Sequence, residues 1–186
     1  MFYPRRRMAL FVAVLTLPGA CERPVATQET RYACDAEGRL VVELYGGIRA
    51  SLDWREAVLA CEGMPRPNGQ GARLRFAGPL GAAADERSVA FILGIPNLEE
   101  GRADVELPTN VTLVEEGTAR FFGTQDTRSC WTDIEYQDPV GMAGARAYRI
   151  SGILYCVSPL AELNGGSSIS FSELEFTGRL DWNQPE

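Results

Sequence analysis

The chain has 186 residues, with 25 Asp and Glu, no histidine, and 18 basic residues that are all arginine, giving a formal net charge of −7. Without histidine there is no Ser-His-Asp triad, no Cys-His pair and no histidine metal site; without lysine there is no Schiff base, P-loop lysine or Ser-Lys dyad. An acidic surface of this kind is repelled by nucleic acid and by anionic headgroups, so no nucleic-acid partner is expected.

Arg5, Arg6 and Arg7 make a positive n-region, and residues 8–17 an apolar run of ten residues. That run is too short for a bilayer span of about 20 residues and fits the h-region of a secretory signal. Gly19 and Ala20 then precede Cys21, while Pro18 stands where a leucine is usual. The stretch resembles a bacterial lipoprotein signal, in which small residues lead to a cysteine that is acylated and becomes the new N-terminus. The resemblance implies a signal over residues 1–20, a lipidated tether over 21–31 and a membrane partnership through the lipid on Cys21. Under the sorting pattern of such lipoproteins, Glu22 stands where an aspartate would mark inner-membrane retention, which in a two-membrane envelope implies the outer membrane. An unlipidated secreted chain cleaved after Ala20 is the alternative. Loss of Arg5, Arg6 and Arg7 takes the arginines from 18 to 15 against 25 acids, a net charge of about −10.

With Cys21 assigned to lipid, Cys34, Cys61, Cys130 and Cys156 remain, an even number suited to disulfides in an oxidising compartment. Three connectivities are possible. The local one, Cys34–Cys61 with Cys130–Cys156, is preferred because its two loops are short and similar in length. A zinc site is disfavoured by the absence of any C-x-x-C pair.

From about Tyr32 the periodicity is mostly two. Leu40, Val42 and Leu44 alternate up to Gly46-Gly47, and Ile48, Ala50, Leu52 and Trp54 resume after it, a hairpin signature. In residues 53–64, Asp53 and Glu56 have capping-box spacing for a short helix, but a turn at 55–57 followed by a strand at 58–61 fits the neighbouring strands better. Residues 66–71 (RPNGQG) read as a turn into the strand ARLRFAG. Residues 88–95 (SVAFILGI) read as a strand buried on both faces, and 110–122 as a hairpin turning at Glu116-Gly117. Residues 129–137 and 148–157 supply two more strands. In 168–182 the apolar positions shift from odd (Ile169, Phe171) to even (Leu174, Phe176, Leu180, Trp182), which predicts a bulge near Ser172–Glu173. The expected fold is all-β, an antiparallel sandwich of about nine or ten strands with little helix, forming a single domain over 32–186; a closed β-barrel is the alternative.

The most informative stretch for chemistry is 123–138. In a strand, Cys130, Thr132, Ile134 and Tyr136 share one face and Trp131, Asp133 and Glu135 the other. If Cys130 and Cys156 sit opposite each other, Trp131 faces Tyr155, Asp133 faces Ile153, and Glu135 faces Ser151. Trp131 and Tyr155 then form a cross-strand aromatic pair beside two acids, with Asp126 in the preceding loop. Asp126, Trp131, Asp133, Glu135 and Tyr155 are therefore the candidate binding surface for a glycan or a cation, although packing alone accounts for such a pair. Used as an acid–base pair, Asp133 and Glu135 would give a carboxylate-dependent hydrolase, but no second catalytic feature accompanies them, so no catalytic residue is assigned. Asp126, Asp133, Glu135 and Asp138 could offer oxygen ligands, yet the calcium-loop pattern is absent, and neither metal nor cofactor is expected. The acidic pairs Asp85-Glu86, Glu99-Glu100 and Glu115-Glu116 read as solvated punctuation at strand ends. The expected role is an outer-membrane lipoprotein that binds or supports an envelope protein or glycan. A calycin-like carrier of a small apolar ligand is the second possibility, and the hydrolase the third.

Overall fold

The computed structural model describes residues 34, 37–81 and 87–183. Cys21, its tether and the Asp85-Glu86 pair lie outside the described residues. Thirteen strands follow one another, all pairing antiparallel: β1 (Arg39–Gly46), β2 (Ala50–Arg55), β3 (Ala60–Pro65), β4 (Ala72–Pro79), β5 (Ser88–Ile95), β6 (Asp104–Pro108) and β7 (Asn110–Glu116). After them come β8 (Arg120–Gly123), β9 (Cys130–Pro139), β10 (Ala147–Cys156), β11 (Leu160–Glu162), β12 (Ser168–Ser170) and β13 (Glu173–Asp181). Among the described residues there is no helix.

Hydrogen bonding runs in the order β3-β4-β5-β7-β8-β11-β12-β1-β13-β10-β9-β6, with β2 on the other edge of β1. The sheet folds over at β1, whose far end pairs with β12 and whose near end pairs with β13. One layer is β3 to β12 and the other is β2-β1-β13-β10-β9-β6. Their inner faces meet through Phe76 of β4 against Phe176 of β13, ring centroids 5.2 Å apart, and Trp54 of β2 against Phe91 of β5 at 6.2 Å. Buried side chains such as Leu40, Leu74, Leu113, Ile150 and Leu154 fill the space between. The sheet does not close on itself, so the architecture is a sandwich and the barrel alternative is not what forms.

The hairpin at 39–55 forms with Leu40 opposite Trp54 and Val42 opposite Leu52. No helix forms after it. Glu56–Val58 make a turn in which the amides of Val58 and Leu59 donate to the Arg55 carbonyl at 2.9 and 3.0 Å, and the strand begins at Ala60, two residues later than its expected start. The predicted bulge in the last segment is present. Val42 pairs with Leu174 and Tyr45 with Ser170, so three steps along β1 match four along the partner. The same slip moves the chain from one layer to the other, splitting the expected final strand into β12 and β13. Strands β6 and β11 complete the count; both are short, and sequence periodicity does not mark them.

Two further expectations need correction. β5 buries Val89, Phe91, Leu93 and Ile95 fully; on its other face Ala90 is buried as well, but Ser88, Ile92 and Gly94 are only half-covered. Glu115 is not solvated punctuation. It is 3% exposed, because it follows Val111 and Leu113 on the inward face of β7, and it is neutralised by Arg120 at 3.0 Å and Arg87 at 3.8 Å.

The disulfides are Cys34–Cys61 and Cys130–Cys156, the local connectivity. The first ties the segment ahead of β1 to β3 and so links the two layers. The second joins directly opposed residues of β9 and β10.

Candidate functional site

Cys130 pairs with Cys156, so the next residue on each strand must also be opposed. Trp131 faces Tyr155 and Asp133 faces Ile153, as the sequence register predicts. The Trp131 and Tyr155 rings stack with centroids 6.1 Å apart and planes 24° apart. A pair of this geometry adds about 0.5–1.5 kcal/mol beyond its buried area.

Beyond Gly152 the register slips. Ile134 still pairs with Gly152, but Ser151 pairs with Tyr136, leaving Glu135 as the extra residue of a bulge. Glu135 therefore does not face Ser151 in the ladder, although its carboxylate accepts a hydrogen bond from the Ser151 hydroxyl at 2.9 Å. Tyr136 is accordingly not on the inward face with Cys130, Thr132 and Ile134. Gln137 takes the inward position instead and is buried.

Directly opposed residues on antiparallel strands share a face. The outer face of this layer thus carries one row of Trp131, Tyr155 and Glu173 and a second of Asp133, Ile153, Glu175, Val41 and Asp53. Edge strand β6 brings in a further acid. Between the pairs Asp104–Ile134 and Leu107–Thr132 it carries an irregularity, and there Glu106 adopts φ 54° while its amide donates to Asp133 Oδ1 at 2.7 Å. Burial, then the charges of Asp133 and Glu106, push the Tyr155 hydroxyl above its ordinary range, so the phenol is a neutral donor at physiological pH.

A depression of about 270 Å³ is lined by Arg39, Glu135, Ser151, Ile153, Glu175 and Thr177. Arg39 reaches Glu175 at 3.5 Å and Asp53 at 3.8 Å. In contrast, Glu106, Asp133, Glu135 and Glu173 have no ion-pair partner among the described residues.

Asp126 is engaged elsewhere. Its Oδ1 accepts from the Arg128 amide at 2.7 Å and the Ser129 hydroxyl at 3.0 Å, and these bonds hold its carboxyl below the ordinary value. It closes its own loop ahead of β9. No family model, no curated protein and no solved structure matches this chain.

Of the five residues expected at the surface, Trp131, Tyr155, Asp133 and Glu135 belong to one sheet face, while Asp126 serves the neighbouring turn. Glu106, Glu173 and Glu175 were missed. They reach the face through pairing with β6 and β13, and no local pattern announces which strands become neighbours. Asp133 and Glu135 are held by different partners, a backbone amide and a hydroxyl, and no hydrogen bond links them. Among the described residues no three acidic or cysteine side chains are arranged to hold a metal ion.

Proposed function

We propose that this chain is an exported, lipid-anchored envelope protein whose outer sheet face binds a partner through cationic groups. The observation that carries this reading is the stacked Trp131–Tyr155 pair on one face with four carboxylates that have no ion-pair partner among the described residues. An aromatic face attracts a guanidinium or ammonium through its quadrupole, and adjacent carboxylates add Coulombic and hydrogen-bonding attraction. The negative charge of the whole chain steers cationic partners toward it. The two disulfides fit an oxidising, exported setting. Anchoring rests on the lipoprotein-like sequence before Cys21.

The test is a titration of the mature chain with an arginine hexapeptide and with its neutral citrulline counterpart. The arginine peptide binds saturably and more weakly as salt rises. Trp131→Ala weakens it about ten-fold, matching a cation–π contribution of about 1–2 kcal/mol. Equal binding of the two peptides, or indifference to Trp131→Ala, would sink the proposal. Intact mass of protein from the envelope fraction checks the anchor: residues 21–186 plus acyl chains is the expected species, and an unlipidated mass removes that part of the reading.

A further inference from the structure

At the opposite end of the sandwich lies a larger groove, about 650 Å³, between the β3–β4 turn and the connection from β5 to β6. Trp131 and Gln137 lie near opposite ends of β9, so this groove is about 20 Å from the ring pair at ~3.3 Å per residue. Its volume falls among those of small-ligand sites.

Both walls are fixed. In the turn, the Arg66 amide donates to the Gly71 carbonyl at 3.1 Å and the Gly69 amide to Arg66 at 2.8 Å. Gly71 has φ 70°, and a Cβ there would come within 2.6 Å of the Pro96 backbone, so only glycine lets the turn come this close. The facing connection is held from beneath by the buried Gln137 amide. Its Nε2 donates to the carbonyls of Glu99 at 2.8 Å and Arg102 at 2.7 Å, and its Oε1 accepts from the Gly101 amide at 3.3 Å and Trp182 Nε1 at 3.1 Å.

On this rigid frame the polar groups are diverse, and both lining acids are paired, Glu99 with Arg102 and Glu100 with Arg146. Glu100 accepts from Arg146 Nε at 3.1 and 3.0 Å and from the Tyr148 hydroxyl at 3.1 Å, so the acid and the guanidinium neutralise each other. The side-chain amides of Gln70 and Asn97, one on each rim, take part in no hydrogen bond among the described residues. Pro65 and Pro96 add patches of C–H surface.

We propose that this groove binds a neutral, hydroxyl-rich oligosaccharide, independently of the sheet-face site. Each sugar hydroxyl both donates and accepts. Planar amides, a carboxylate and a guanidinium supply both roles in fixed directions, while the proline faces can lie against the C–H side of a pyranose ring. An apolar ligand would leave these polar groups desolvated and unpaired, at a cost. A charged ligand would find no net countercharge in the Glu100–Arg146 pair.

The test uses the mature, oxidised chain and two probes, chitotetraose and maltotetraose, followed by NMR to about 10 mM, a range that captures a Kd near 1 mM. At least one saccharide saturates, with shifts confined to residues 65–71 and 96–100 and to Arg146 and Trp182. The Gln70→Ala/Asn97→Ala double variant weakens it ten-fold or more, whereas Trp131→Ala leaves it unchanged. Gln70 and Asn97 are exposed, and their side chains make no hydrogen bond among the described residues, so the double variant keeps the wild-type unfolding midpoint. No saturation by either saccharide, saturation indifferent to the double variant, or preferential binding of an uncharged unstructured peptide overturns the proposal.

Discussion

Replacing Gln137 by leucine isolates what a single buried amide does for this fold. The substitution removes bonds to four groups: the carbonyls of Glu99 and Arg102, the Gly101 amide and the Trp182 indole N–H. Glu99 and Arg102 are exposed residues, so their carbonyls recover water and together cost only about 1 kcal/mol. The Gly101 bond is long and contributes about 0.5 kcal/mol. Trp182 is 6% exposed, so its orphaned N–H carries most of a desolvation penalty of about 1–2 kcal/mol. The total is about 3 kcal/mol, or a fall in Tm of about 6–12 °C for a domain near 150 residues. Urea unfolding with oxidised disulfides should show a lower midpoint at unchanged slope, and amide exchange should quicken at residues 98–102 before it does in the strands. A midpoint within about 2 °C of wild type would refute the idea that this amide holds the connection in place.

Other perturbations have equally definite outcomes. At Gly63 a Cβ would lie 2.8 Å from Leu180 Cα and nearer still to the Arg179 carbonyl oxygen, so Gly63→Ala should destabilise by about 2–3 kcal/mol in a denaturant titration. Removing either disulfide as a Cys→Ser pair should cost about 3.5 kcal/mol, from loops of 27 and 26 residues. Paired midpoints in urea measure this, and an unchanged midpoint would deny the bridge a role. The hydrogen bonds from Arg146, and then from Tyr148, outweigh burial and hold the Glu100 carboxyl below its ordinary value of 4.5. Its stabilising contribution is therefore complete above about pH 4.5 and is lost as pH falls through the lowered value. Glu100→Gln should flatten the acid limb of a stability–pH curve, and an unaltered limb would place the acid sensitivity elsewhere.

What sequence could convey followed from how local each signal was. The β1–β2 hairpin, the β7–β8 hairpin and the Cys130–Cys156 register were legible because alternation and a close turn or cysteine pair fix both partners at once. The parity shift in 168–182 revealed its bulge for the same reason. The bulge at Glu135 stayed hidden, since Tyr136 and Gln137 are both compatible with either face until the pairing with β10 is known. Glu115 was misjudged because burial of a carboxylate depends on Arg87 and Arg120, which only the folded sheet places beside it. The acids of β6 and β13 joined the Trp131–Tyr155 face by the same non-local route, and the end groove is assembled from a turn, a connection and the residues flanking β10 and β13.

The position of β1 has a consequence for how the chain comes to fold. Arg39 pairs with Thr177, 138 residues later, so one edge of the strand joining the two layers stays empty until the last strand arrives. Contacts of such separation are slow to form, because a long loop must close before they are rewarded. At about 5–20 residues per second, synthesis alone delays the partner by roughly 7–28 s. Meanwhile the local hairpins can form, but the two layers cannot close over the core. A chain built in this order stays open along β1 until β13 has been made. Loss of the final strand would leave not a shortened sandwich but an open one, with Leu40 and Val42 stripped of their partners Phe176 and Leu174.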